Sequence, residues 1–565
     1  MPVYFNDSVD DILLYDRQAS FIGGQVSNFR ENLLNESQAE LIKDMSPEIS
    51  GVLKTRRGFH RFANLLGSTS PPNSTNVQAI HFFDTDSRER VITAVNGSIY
   101  EIESNGTVTA IAVAANKLDS ATDPAYMCQV ADKMYWSSDT TSTKIFELKN
   151  SSGTWVKTDA TDAAPLNSKY LIANSGRVFA YDVSGNQIFV STILPDLAGG
   201  TSTLFTTGGV TINPFKVGTG AEAVTGMHSW VGFNVVVFCE NSIYLVDTNP
   251  LTAATAAAGN ATSTFKIRQV SNLSGAVSHR AVAQVGEDLL FLARDGVRSL
   301  KRTMAEEMVA EQSGVISYPI QDLIDSINWS AAAQQATATF WNGLFLLSVP
   351  ILSSQENNCC LVYSANTNSW IGYWQGNPDH NIKPIDFCIS AFGGYAEKLL
   401  TLDKIGNPME FRDYISPQNA VATDYQDNFD GTNYRDTAWQ ALTRGMTFGD
   451  QLSPKSPDFT EWEFDRSNAK VDIIPVLDGE DADRLVTDLV TGSGTVTLTA
   501  SAPVLPFTLP DSKVRRFRYS LSQYDPFREL QFRIEQSTGD TSSNKYVALR
   551  SIQAGSFMDT MEGDQ

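Results

Sequence analysis

The chain is poor in the residues that build covalent or metal-held scaffolds. Its five cysteines, Cys128, Cys239, Cys359, Cys360 and Cys388, are odd in number, lack CxxC spacing and include an adjacent pair that rarely closes a disulfide. That pattern argues against a disulfide-stapled secreted domain and fits a reduced protein assembled in a cytosol. The five histidines, His60, His81, His228, His279 and His380, neither cluster with cysteines nor show HExxH spacing, so no metal site is expected. Long apolar runs are missing too. Residues 231–238 and 343–352 are the longest and are too short to span a bilayer, so membrane insertion is not expected. Residues 1–20 carry Asp7, Asp10, Asp11 and Asp16 where a secretory signal would need a basic flank and an apolar core, so no such signal is expected.

Positive charge is also scarce. With 42 basic against 64 acidic residues the formal charge is -22, and the summed field repels polyphosphates, which excludes a generic nucleic-acid binder. A conduit that DNA slides through is a different matter, because a wall with few phosphate contacts would not retard it. No GxSxG, GxxxxGK[ST] or strand-flanked GxGxxG occurs, so no catalytic residue and no cofactor is expected. Asp295, Asp403, Asp427, Asp430 and Asp478 sit beside turn-forming residues, where turn chemistry accounts for them. The stretch 427–433, DNFDGTN, lacks the ligand spacing and closing glutamate of a calcium loop.

What is abundant is pleated-sheet chemistry. Only 19% of residues are charged, against 30 Phe and 18 Tyr, so a mainly β protein is expected, and 565 residues call for two or three domains. From residue 77 to about 414 one theme recurs: a β-run, a Gly, Asn or Asp turn, then a second β-run. It appears at 91–102, 133–148, 177–190, 234–246, 288–300, 344–363 and 398–411. Seven hairpins over roughly 340 residues match the ~40–50 residues per blade of a propeller. The expected fold is a β-propeller of about six or seven blades over 76–415, flanked by an arm with a short helix (1–75) and a β-rich, sandwich-like domain (416–565) after the polar stretch 416–433. Trp155, Trp230, Trp341, Trp370 and Trp374 are expected to pack between blades. Residues 251–264 read as a loop, and the second half of 305–327 as a helix after Pro319. Near the end, Arg515, Arg516, Arg518, Arg528 and Arg533 interleave with Phe517, Tyr519, Phe527 and Phe532, which a half-buried antiparallel strand explains better than single-strand binding.

The opening stretch 21–59 runs from a short strand (Phe21, Ile22) through a turn at Gly23-Gly24. A helix over Leu33, Leu34, Gln38, Leu41 and Ile42 follows, stopped by Pro47, and the stretch ends in an extended segment 51–59, GVLKTRRGF, with one basic edge. From the residues alone that edge is a surface strand with solvated charges. The order Gly-Gly, Leu-rich helix, Gly-Val-Leu-Lys-x-Arg-x-Gly-Phe resembles the N-terminus of tail nozzle (hub, tail tubular protein B-like) proteins of short-tailed bacteriophages. The closing strands and the Asp478-Gly479 turn resemble the closing domain of the same family.

This resemblance implies a virion structural protein that is assembled in the host cytoplasm and located in the tail. It further implies a hexameric homo-oligomer, attached to a head–tail adaptor ring protein and contacting tail fibre or tailspike proteins, that conducts genomic double-stranded DNA without binding it specifically. Lys54, Arg56, Arg57 and Phe59 are the expected inter-subunit or adaptor contact. The alternative is a propeller-type glycoside hydrolase or depolymerase, which needs a pair of carboxylates; an adhesive propeller is a third reading, disfavoured by the missing signal and the odd cysteine count.

Overall fold

A computed structural model of the chain describes residues 13–47, 50–65, 76–85, 88–111, 122–138, 145–151, 154–159, 168–191, 204–207, 210–211, 214–218, 221–248, 265–306, 314–377, 380–394, 397–404, 406–414, 422–429, 431–465, 469–490, 514–537 and 546–558. The expected loop at 251–264, the turn residue Asp430 and the strand read at 494–498 lie outside them.

Seven antiparallel sheets follow one another as the blades of a propeller. From the axis outward, blade one is Val77–Thr85, Arg88–Val95, Ser98–Ile102 and Val108–Ala110; blade two is Ala125–Val130, Lys133–Ser138, Phe146–Ser151 and Thr154–Asp159. Blade three is Ser168–Asn174, Arg177–Asp182 and Gln187–Val190; blade four is Val224–Trp230, Asn234–Cys239, Ile243–Asp247 and Lys266–Ser271. Blade five is Val282–Val285, Asp288–Ala293 and Gly296–Ser299, and blade six is Thr337–Trp341, Leu344–Val349, Cys359–Ser364 and Ser369–Trp374. Blade seven is Pro384–Ser390, Lys398–Asp403 and Pro408–Phe411, and its outermost strand is Phe59–Arg61 from the opening segment.

The ring closes because the first strand of blade seven packs against that of blade one, as neighbouring first strands do elsewhere except between blades four and five. Each hairpin read from the sequence is present, as the second and third strands of its blade. Trp155, Trp341, Trp370 and Trp374 are buried, as expected for packing residues. Between blades five and six the helical stretch runs through Tyr318–Ile320 and Gln321–Asp325, after Pro319 as the spacing predicts, with Ile320 and Ile324 turned into the core.

The helix expected over Leu33 to Ile42 is not formed. Only Glu31–Leu33 makes a single tight turn, and Gln38–Lys43 is a strand, as is Met45–Pro47. The misleading signal has a physical cause. Ala39 and Ile42 are the buried residues of Gln38–Lys43, and the register against Gln440–Thr443 shifts between Ala39 and Leu41, so a β-bulge gives the buried positions a helix-like spacing of three. The turn at Gly23-Gly24 is present, with Gly24 N donating to Phe21 O, but the strand before it is Leu13–Gln18, not Phe21-Ile22.

The opening segment is not a separate arm. Leu13–Gln18, Met45–Pro47 and Leu53–Thr55 join Lys455–Asp465, Val514–Ser520 and Ala548–Met558 in one sheet. Gln38–Lys43 pairs with Gln440–Thr443, which continues to Leu530–Gln536 and Lys470–Leu477 in a second. Between them Phe21, Ile42, Met45 and Leu53 share a core with Trp462, Phe464, Phe532 and Ile552, so the sandwich is built from both ends of the chain. The second sheet does not stop there. Lys43 also bridges Tyr373, and blade six thereby runs into the sandwich as a single 11-stranded sheet. The backbones approach so closely at this join that a Cβ on Gly372 (φ 123°) would lie 2.3 Å from Ile42 O.

Candidate functional site

The basic turn at residues 54–59 lies where sandwich and propeller meet. Leu53–Thr55 ends beside Ala548, the chain turns through Arg56, Arg57 and Gly58, and Phe59–Arg61 enters blade seven. Gly58 is required there, since a Cβ would fall 1.8 Å from Gln426 O. Arg56 is fully buried. Its Nε donates to Asp44 Oδ1 at 2.7 Å, and Nη1 and Nη2 donate to Asp427 Oδ1 and Oδ2 at 2.9 and 2.7 Å, a two-pronged grip on one carboxylate and a single bond to the other. The remaining acceptor capacity is used by backbone: Gln375 N and Gly376 N donate to Asp44, and Phe59 N to Asp427. Burial opposes the Arg56 charge, yet the two carboxylates more than offset it and hold the guanidinium above its ordinary range. Burial pushes the Asp44 carboxyl up, with Arg56 pulling against it.

The expected solvated basic edge is therefore mostly interior. Phe59 is 2% exposed, packed on Phe411 and Trp374, and Arg57 is buried with its guanidinium 4.1 Å from the Tyr425 ring centre. Lys54 is half-buried, its ammonium 5.9 Å from the Tyr546 ring centre. Lys54, Arg57, Trp374, Tyr425 and Tyr546 line a cavity of about 200 Å³. Asp427, read as a turn residue in a calcium-like stretch, belongs instead to the Arg56 network. Among the described residues no group of three or more His, Cys, Asp or Glu could hold a metal ion.

The propeller axis holds a second arrangement that no local sequence signal announced. The turn Ser278 to Ala281 precedes blade five, with Ala281 N donating to Ser278 O. From it Arg280 Nη2 donates to Gln78 O of blade one and Ala125 O of blade two, each at 2.6 Å, and lies 3.7 Å from Asp386 of blade seven. Arg280 O accepts from Ala338 N of blade six. Next to it, Met227 N of blade four donates to His279 Nδ1, and the imidazole stacks on Tyr170 of blade three at 4.7 Å. Burial, reinforced by Arg280, His228 and Lys169, pushes His279 down to about 3, so it is neutral and takes that hydrogen bond as an acceptor. One short turn thus touches the first strand of every other blade and fills the centre of the ring. Arg280→Met is expected to lower unfolding free energy by roughly 2–3 kcal/mol, through lost charge-assisted hydrogen bonds. Urea unfolding checks it; an unchanged midpoint would remove Arg280 from the ring's closure.

Sequence comparison finds no matching family model and no matching curated protein. Among solved structures, the WD40 β-propeller domain of Doa1 aligns with a TM-score of 0.36 at 10% identity, over 63% of this chain and 96% of that one. A chain of the mitotic checkpoint complex aligns with a TM-score of 0.36 at 12% identity, over 61% and 96%. Both likenesses are loose, and the propeller stands on its own seven sheets.

Three of the aspartates read as turn residues are engaged in structure. Asp295 pairs with Arg298, Asp403 accepts from Lys383 N, and Asp478 accepts from Arg528 N and Glu529 N. All five cysteines are buried and free, and burial pushes Cys239 up to about 11 and Cys360 up to about 12, far from the thiolate a nucleophile needs. The arginines of Val514–Ser520 meet the neighbouring strand: Arg518 lies 3.3 Å from Glu461 and over the Phe459 ring, and Arg516 pairs with Glu463.

Proposed function

We propose that this chain is a structural subunit of the distal tail nozzle of a short-tailed bacteriophage. On this reading six copies close a ring through heterologous interfaces. A head–tail adaptor ring sits above, tail fibres or tailspikes attach at the side, and the lumen retains and then conducts genomic DNA. The observation that carries the reading is the meeting of the two family-like segments: the opening stretch and the closing strands interleave in one sandwich beside a propeller.

Two further features agree with it. With Arg280 reaching across the propeller axis to blades one and two, the reading takes the duplex between subunits and not through one of them. The formal charge of -22 disfavours tight phosphate contacts that would retard a passing duplex. The protein's role is architectural, and of the four residues expected at a contact only Lys54 keeps substantial exposure within one copy. Immunogold labelling of intact particles, viewed by negative-stain electron microscopy, tests the proposal. Label confined to the distal tail is the expected result. Label on lateral spikes, accompanied by cleavage of host polysaccharide, would overturn it in favour of the depolymerase reading.

A further inference from the structure

The tight turn Glu31–Leu33 of the opening segment is tied to the closing half of the chain by backbone. Gly445 N donates to Glu31 O at 2.9 Å, and Met446 bridges Leu530 just beyond. The Glu529 carboxyl stands directly behind this tie. A Cβ on Gly445 would fall 1.6 Å from Glu529 Oε1, so the oxygen lies against the glycine Cα. That oxygen is buried and has no hydrogen-bond partner, on a residue that is otherwise half-buried.

The groups that act on Glu529 are all acidic. Burial has the largest effect; Glu31 and Glu40 of the opening segment and Asp478 of the turn after Lys470–Leu477 add to it, and together they push the carboxyl up to about 7. Burial raises Glu40 too, with the Gln531 amide pulling against it and Glu31 and Asp322 adding to it. The cations of the surrounding elements do not answer these acids. Arg444 reaches back to Asp16, and Lys455 Nζ donates to the carbonyls of Asp450, Ser453 and Arg528. Arg533 pairs with Asp481 and Glu535. Arg30 and Arg528, next in sequence to Glu31 and Glu529, are solvent-exposed, and among the described residues neither forms an ion pair with Glu31, Glu40 or Glu529.

We propose that Glu529 is a pH-responsive latch on the opening segment. With a proton it lets the turn at Glu31 rest on Gly445; ionised, it faces Glu31 and Glu40 across that tie and drives the turn away. The sign follows from linkage. A carboxyl raised in the folded chain keeps a proton that the unfolded chain has released, so its contribution to holding the segment is present in acid and is lost as pH rises through about 7. This goes beyond the nozzle reading and stands whether or not that reading holds.

Hydrogen exchange of the full chain, followed by mass spectrometry in peptides covering residues 27–34 and 443–448, tests it. Wild type is compared with Glu529→Gln at each pH, which cancels the intrinsic pH dependence of exchange. The two are expected to exchange alike at pH 5, and wild type about tenfold faster at pH 8. Glu40→Gln, compared with the Glu40→Gln/Glu529→Gln pair, is expected to shrink that ratio and move its midpoint to lower pH, a response that a merely structural Glu529 would not give. Glu397→Gln, an exposed carboxylate of blade seven, is expected to leave both peptides unchanged at both pH values. Equal exchange at pH 8, a tenfold ratio already present at pH 5, or a midpoint that Glu40→Gln leaves in place would each overturn the proposal. So would an equal quickening across all seven blades, since Glu529 would then act on the whole fold and not on the latch.

Discussion

Replacing Arg56 with Met is expected to lower unfolding free energy by about 3–5 kcal/mol, because one cation is lost while two buried carboxylates stay behind. Asp44 and Asp427 keep their backbone donors but not the charge that made burial tolerable. The loss should depend on pH, and its sign follows from the carboxyls. Asp44 is already raised by burial with Arg56 opposing, so removing Arg56 raises it further above its unfolded value. The folded variant then retains a proton that the unfolded chain has released, and its stability falls as pH rises above about 4. The deficit against wild type should be larger at pH 8 than at pH 5 in urea titrations, and equal deficits at the two would show that the carboxylates find other compensation. Arg56→Lys should recover only part of the loss, since an ammonium cannot grip Asp427 in two places and reach Asp44 as well.

Phe59→Ala should be comparably severe, about 3–5 kcal/mol for a fully enclosed ring. Phe59 packs with Phe411 and Trp374 in a cluster that includes Trp341, Leu399 and Met409, and its strand is the outer edge of blade seven. The change therefore empties a cavity and loosens the strand that ties the beginning of the chain to the last blade. Hydrogen exchange is expected to quicken first at Pro408–Phe411, the strand paired with Phe59–Arg61, before blades two to four respond. Uniform exchange across all seven blades would mean that closure does not hang on this strand.

The second strands of the blades were legible because they are mostly buried on both faces. Asp288–Ala293 (DLLFLA) and Leu344–Val349 (LFLLSV) read as near-continuous apolar runs between tight turns. First strands were harder. Val224–Trp230 (VTGMHSW) and Ser168–Asn174 (SKYLIAN) mix polar and apolar residues because they also serve the axis. Arg56 was misread because a basic run in sequence is usually solvated, whereas its partners lie 12 and 371 residues away, beyond any local pattern. The same distance hid the axial role of Arg280, whose acceptors come 202 and 155 residues earlier. Likewise nothing in residues 21–47 indicated that the strand partner of Gln38–Lys43 would be Gln440–Thr443, and without that pairing the bulge could not be recognised.

The sheet that leads from blade six into the sandwich has a mechanical meaning. Propellers are commonly tethered by flexible linkers, which let them swing; here the tether is itself pleated backbone, with Tyr373 of the blade beside Lys43 and Gly372 pressed against Ile42. A lateral pull on the propeller would bend that shared sheet before it moved a hinge. The molecule should therefore behave as a lever, passing a displacement at its rim to the far strands at Lys470–Leu477.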